Sequence, residues 1–248
     1  MAAVFQKEPG NNMGRRKINV AESLFFILLS VLAAYVLLVS PLFAVREVRV
    51  EGNRELTAGE IIACAGVTTG TNIFKEDLRA AKVRIESLPA VKEARVVREL
   101  PGRVVVRVTE RKPLALVQAG DGFIAVDGDG VNVRKARIGE RGLPVLTGIV
   151  LNDVPSPGGV LADGNVPVLL RVIENLPAEV VENLSEVHRE DDGRIVLYTL
   201  GGVRCLLGVP EDARKKGELL LSVLKELQGK RIEYIDLSLP ASPVVKMG

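Results

Sequence analysis

The sequence has no tryptophan, a single histidine and only two cysteines, and these shortages remove whole classes of chemistry. His188 is flanked by Glu186, Glu190, Asp191 and Asp192, so the stretch reads as a solvated turn, not as a general base held in a cleft. The cysteines show no CxxC pair, zinc-type spacing or catalytic Cys/His partnership. Each sits among apolar neighbours, Ile61-Ile62-Ala63 before Cys64 and Leu206-Leu207 after Cys205, and reads as a buried small hydrophobe. A disulfide between them would have to join two separate domains. The sequence carries no G-x-S-x-G elbow, G-x-G-x-x-G fingerprint or P-loop. Asp127-Gly128-Asp129-Gly130 lacks the further oxygen ligands of a calcium loop and reads as an ordinary turn. The expectation is a protein that is not an enzyme and has no metal or cofactor.

Charge of one sign is also missing. Lys and Arg number 33 against 31 Asp and Glu, a formal net charge of +2. That small excess lies within residues 1–22, where Lys7, Arg15, Arg16 and Lys17 face Glu8 and Glu22. The remainder is balanced. A nucleic-acid binder needs a concentrated basic face to release counterions, so that class of partner is not expected.

What is present in quantity is apolar sequence. No charge occurs from Ser23 to Val45, and Leu24–Phe43 is almost wholly apolar. Twenty helical residues reach about 30 Å, the thickness of a bilayer's hydrocarbon core. Apolar residues cover every face of this helix, so it is not an amphipathic helix lying on a soluble core. The division expected is a cytoplasmic tail at 1–22, a transmembrane helix at 23–43, and folded parts at 44–112 and 113–240 with a terminal segment at 241–248. Arg15-Arg16-Lys17 precedes the span, but Arg46, Arg49 and Arg54 follow it. The positive-inside bias is therefore slight. The short tail and long folded remainder favour a single-pass type II arrangement, with the bulk outside the cytoplasm.

In the first folded part, Val48 and Val50 alternate with charged residues until Gly52-Asn53 breaks the strand. Thr57 and Glu60 form a capping-box pattern before a short helix at 58–65, closed by Gly66. Phe74, Leu78, Ala81, Ile85 and Leu88 then make one helical stripe, stopped by Pro89. Ala94 and Val96 alternate on one strand, and Val104, Val106 and Val108 on the next, with Leu100-Pro101-Gly102-Arg103 turning between them. The order is β-α-α-β-β, a small sheet with two helices on one face. With its "V-x-G-N" at 50–53, "L-P-x-V" at 88–91 and Arg98-Glu99-Leu100-Pro101-Gly102, this part resembles a POTRA domain. Such domains bind other polypeptides, often by pairing a strand at a sheet edge.

The second part reads as β-rich, with strands near 114–117, 123–126 and 131–133, and a Pro/Gly-rich loop at 153–164. A helix follows over roughly 167–176, then a hairpin at 195–207 around Gly201-Gly202. A second helix opens at Pro210-Glu211-Asp212 and closes at Gly229. The final strand is expected at Ile232–Leu239. The fold class is α+β: one N-terminal transmembrane helix, a POTRA domain, and a β-rich domain with two helices. Leu143–Gly148 together with Tyr234-Ile235-Asp236-Leu237-Ser238-Leu239-Pro240 resembles the extracytoplasmic part of the bacterial cell-division family FtsQ, called DivIB in Gram-positive organisms. The sequence given ends soon after that strand, where many Gram-positive members carry a long tail.

The resemblance implies a scaffold of the divisome in the cell membrane at the division septum. Its implied partners are small bitopic coiled-coil proteins of the FtsB/DivIC and FtsL types, upstream of the septal peptidoglycan synthase. The implied contact is strand addition along Tyr234, Ile235, Asp236, Leu237, Ser238 and Leu239, continuing towards Val244, Val245 and Lys246. The competing expectation is a POTRA-containing component of polypeptide transport or outer-membrane assembly.

Overall fold

In the computed structural model, which describes residues 20–151 and 153–248, the apolar run forms helix α1, Val20–Val39, followed by a 3₁₀ turn at Pro41–Phe43. None of the side chains of α1 is buried against the rest of the chain. The helix is long and apolar enough to cross a membrane. It begins three residues before the expected span and ends four residues earlier. Ser40 caps the 3₁₀ turn by accepting from the Leu42 N–H, and Pro41 at its first position cannot continue the helix ladder. The tail expected at 1–22 lies, apart from its last three residues, outside the described residues.

The proximal domain follows directly. Its elements are β1 (Glu47–Glu51), α2 (Ala58–Ala65), α3 (Leu78–Glu86), β2 (Val91–Glu99) and β3 (Arg103–Glu110). The sheet order is β1-β3-β2, with β3 parallel to β1 and antiparallel to β2. Both arms of the Thr57/Glu60 capping box form, and Gly66 ends α2 in the left-handed conformation, a cap worth about 1 kcal/mol. Ile61, Ala65, Ala81 and Ile85 from the helices meet Ala94, Val104, Val106 and Val108 from the sheet in one buried cluster. At Gly52 (φ +89°) a β-carbon would run into the carbonyl of Val108. Only glycine fits the end of that first strand.

One part of the stripe expected for the second helix is corrected. Phe74 and Leu88 lie outside α3: the Asp77 carboxylate accepts from the N–H groups of Arg79 and Ala80 and starts the helix after Phe74, and Ser87 caps its far end before Leu88. Phe74 instead sits in a preceding turn, where its N–H donates to Asn72.

The distal domain is one nine-stranded sheet in the order β12-β11-β10-β9-β8-β7-β4-β5-β6. The strands are β4 (Pro113–Ala119), β5 (Gly122–Asp127), β6 (Asn132–Ala136), β7 (Val145–Thr147), β8 (Leu184–Arg189), β9 (Ile195–Thr199), β10 (Arg204–Gly208), β11 (Ile232–Asp236) and β12 (Val244–Met247). Helices α4 (Val166–Asn175), α5 (Ala178–Val181) and α6 (Ala213–Glu226) complete it. Leu169, Val172, Ile173 and Leu220 from the helices pack with Val117, Leu146, Val187, Leu197, Cys205 and Ile235 from the sheet. Helix α4 and strands β9 and β10 fall within a residue or two of their expected places. Strands β8 and β12 and the short helix α5 were not expected at all.

Two further expectations change. His188 is not in a solvated turn but on β8, half-buried, with Nδ1 2.7 Å from the Thr147 hydroxyl, which also donates to Glu186 at 2.5 Å. Glu186 and His188 lie on a strand paired to both β7 and β9, whereas Glu190, Asp191 and Asp192 form the turn that follows it. Cys205 is fully buried, but Cys64 is only half-buried, its thiol donating to the Arg84 carbonyl at 3.0 Å.

The Asp127–Gly130 cluster is a turn, as expected. Asp127 is nevertheless buried: it accepts from the N–H groups of Asp129 and Val131 and pairs with Arg111 at 2.6 Å. Lys92 of the proximal domain reaches Asp129 at 2.7 Å. Together with Arg111, this pair ties the two domains where the chain passes between them.

Candidate partner-docking edge

The segment expected to dock a partner, Tyr234–Leu239 continuing to Lys246, does not form one strand. Tyr234, Ile235 and Asp236 lie on β11, which is parallel to β10 on one side and antiparallel to β12 on the other. Its backbone has no vacant side. Leu237 turns inward and is buried, donating its N–H to the Leu206 carbonyl at 2.8 Å. Ser238 donates to the Asp236 carboxylate, which helps to end the strand. Leu239 sits exposed in the turn that follows, closed by the Ser242 N–H on the Leu239 carbonyl. The chain then doubles back as β12. The reason lies in 240–243: two prolines break the ladder between β11 and the β-branched pair Val244-Val245. Residues expected to extend the rim therefore cover it, and the open side moves to β12.

Which groups face outward follows from the alternation of a strand. Leu237 addresses β10 through its N–H, so Ile235 addresses β10 as well. Tyr234 and Asp236 then address β12, where their partners are Lys246 and Val244. Val245 and Met247 are left with N–H and C=O groups directed away from the sheet. Gly248 folds its own N–H back to the Arg231 carbonyl at 3.0 Å.

Side chains stiffen this rim. Val245 packs against the core beside Ile235. On the opposite face Lys246 pairs with Glu233 at 2.8 Å and lies 5.9 Å from the centre of the Tyr234 ring. The hydrogen bond to Glu233 holds the Lys246 ammonium above its ordinary pKa. Val244 and Met247 are exposed and stand where a fourth chain segment could meet them. The other end of the sheet differs: Asn132 on β6 donates its N–H to Gly159 and accepts from Gly158, so part of that edge is covered. No cluster of His, Cys, Asp and Glu able to hold a metal occurs among the described residues.

Comparison with known proteins places this architecture. Residues 43–111 match the FtsQ-type POTRA domain, and residues 115–238 match the C-terminal domain of the cell division proteins FtsQ/DivIB. The chain belongs to the FtsQ/DivIB family. The cell division protein FtsQ of Syntrophotalea carbinolica is 32% identical over 228 residues, which covers 87% of this chain and 78% of that protein. FtsQ of Streptomyces collinus is 30% identical over 244 residues, covering 95% and 90%. DivIB of Geobacillus kaustophilus is 29% identical over 203 residues, covering 79% and 72%. The solved extracytoplasmic domain of DivIB from Geobacillus stearothermophilus covers 48% of this chain and 95% of that one at 17% identity, with a TM-score of 0.35 that bears no weight. The proximal domain described above is thus the POTRA domain of an FtsQ/DivIB protein, and α1 is the apolar helix expected of a membrane-anchored one. The matched C-terminal region stops at residue 238, before β12.

Proposed function

We propose that this FtsQ/DivIB-family protein is a single-span scaffold of the divisome that holds its two folded domains outside the cytoplasm at the septum. It binds bitopic coiled-coil division proteins of the FtsB/DivIC and FtsL types by strand addition at the outer rim of β12, and so supports septal peptidoglycan synthesis without catalysing a reaction itself. The single observation that carries this reading is the rim itself. Val245 and Met247 keep backbone donors and acceptors turned away from their own sheet, beside the exposed side chains Val244 and Met247. A partner strand supplies the missing hydrogen bonds, and the exposed side chains set its register.

Anchoring by α1 raises the local concentration of a partner in the same membrane, so weak rim contacts suffice. The test is truncation after Ser242, assayed by co-purification of the coiled-coil partner from membranes. Removing β12 exposes β11, whose side chains differ from those of the lost rim, and capture of the partner is expected to fall to background. Undiminished capture would overturn strand addition at β12. A reporter fused after Gly248 is expected to be active only outside the cytoplasm, and cytoplasmic activity would reverse the orientation.

A further inference from the structure

The geometry points to a lipid seat on the POTRA domain: a rim of Leu42, Phe74 and Leu100, flanked by Arg46 and Lys75, that rests in the headgroup layer of the bilayer crossed by α1. This rests on the reading of α1 as a span.

The argument starts from depth. The 20 residues of α1 rise about 30 Å, one hydrocarbon thickness, which puts Val39 at its boundary. A folded domain on a slack linker could float clear of that boundary, but here no linker exists. The Asn72 side-chain amide donates to the Leu38 carbonyl at 2.7 Å, inside the last turn of the helix. Val45 donates to Thr71 at 2.7 Å and accepts from Gly70 at 2.7 Å, while Ile73 donates to Phe43 at 2.8 Å. The turn after the span is therefore laid strand-like along loop 70–73, and that loop is fixed at interface depth.

The β2–β3 turn is tied to the same place. The Gly102 carbonyl accepts from Arg46 at 2.7 Å, and the Arg98 guanidinium donates to the carbonyls of Ile73 and Glu76, both at 2.8 Å. Three chain segments thus meet at the exit of the helix.

Their side chains suit lipid. Leu42 is 45% exposed, Phe74 42% and Leu100 59%. A lone exposed leucine is ordinary on a soluble surface, but three large apolar side chains grouped where an apolar helix leaves its domain are not scattered. Phe74 packs against Phe43 with ring centroids 5.2 Å apart and the ring planes tilted by 56°, so two apolar rings sit together beside the exit of the helix. The nearby acids are committed elsewhere: Asp77 caps α3, Glu76 accepts from Thr71, and Glu47 and Glu99 pair with Arg103. Lys75 and Arg46 have no carboxylate partner among the described residues, which leaves two cations for lipid phosphates. The consequence is a domain that leaves the membrane at a set angle, so the direction of everything beyond it is set as well.

The absence of tryptophan makes the test direct. Full-length protein carrying Phe74→Trp, Leu100→Trp, Tyr35→Trp or Leu239→Trp is placed in phosphatidylethanolamine/phosphatidylglycerol vesicles containing lipids brominated either near the headgroup or near the bilayer centre. Phe74→Trp and Leu100→Trp are expected to emit at shortened wavelength and lose most of their emission to the shallow bromine, less to the deep one. Leu239→Trp, on the distal domain, is expected to stay unquenched. Quenched Tyr35→Trp beside unquenched Phe74→Trp and Leu100→Trp would overturn the seat while leaving the span intact. Unquenched Tyr35→Trp would sink the span, and the seat with it. Blue-shifted Phe74→Trp that no bromolipid quenches would mean a second copy of the chain covers the patch, which also overturns the seat.

Discussion

Two short extended segments lie at opposite ends of the folded chain, and they differ in what occupies their second side. At the membrane end, residues 43–46 are bonded to loop 70–73 through Phe43 and Val45 and to the β2–β3 turn through Arg46. At the far end, β12 is bonded to β11 and has no further strand beyond it among the described residues. Both are strand additions within one chain. The first has used its hydrogen bonds on two neighbours and acts as a lock. The second has used half of them and acts as a socket. Backbone conformation alone does not tell the two apart; the occupancy of the outer side does.

The largest expected effect breaks the socket while sparing the hydrogen bonds between β12 and β11. In Val245→Pro the N–H lost is one that faces away from β11, and an edge strand tolerates proline on that side. Partner capture is expected to weaken by roughly 3 kcal/mol, about a hundredfold, from one lost hydrogen bond plus the ring in the path of the incoming strand. Thermal unfolding of the distal domain should move by far less than capture does, by about 1 kcal/mol for the half-buried side chain lost beside Ile235. Equal capture by Val245→Pro and the parent chain, measured by titration on immobilised partner, would show that the rim is not the contact.

A smaller effect is expected at the lock. Asn72→Ala removes both the donor to Leu38 and the acceptor for the Phe74 N–H, at a cost of about 1–3 kcal/mol to the POTRA domain. Limited proteolysis in vesicles should then cut near 70–76 sooner, while partner capture is unchanged. A smaller one still belongs to Lys246→Ala. Its pair with Glu233 is open to solvent, so capture is expected to fall a few-fold at most, and the difference should vanish at high salt. If Lys246→Ala instead matched Val245→Pro, side chains and not backbone would carry the socket.

The POTRA domain around the lock was far more legible in the sequence than the socket, although the pairing of 43–46 with loop 70–73 was not read. Thr57 with Glu60, Gly66, Gly52 and the Leu100–Arg103 turn are local signals, each acting within a few residues, and the POTRA domain is assembled from them. The failure there was at Phe74, where helical spacing ran on past the Asp77 cap. In the distal domain the long helices and the Gly201-Gly202 hairpin were legible for the same reason. Strands β8 and β12 were not. Leu184–Arg189 holds four polar or charged residues out of six, and Val244–Met247 is four residues long. Each exists because a neighbouring strand supplies its ladder, which no local pattern records. The residues expected to form one docking edge divide in the structure: Tyr234, Ile235 and Asp236 are paired on both sides, and the outward backbone groups belong to Val245 and Met247.

The same contrast between enclosed and accessible positions can be read through the two cysteines, one in each domain. Burial pushes the Cys205 thiol up to about 12, and no part of its side chain reaches solvent. A thiol reacts as thiolate, so Cys205 is doubly protected, by its surroundings and by its acidity. Cys64 lies half-buried on α2, where only a hydrogen bond to the Arg84 carbonyl restrains it. Native protein treated with a maleimide is expected to take up one label, at Cys64, and to take up the second only when denatured. The second should stay slow, because it waits on opening of the distal core. Two labels entering native protein at similar rates would mean that the sheet around Cys205 opens readily, and a sheet that loose could not present a fixed rim at β12.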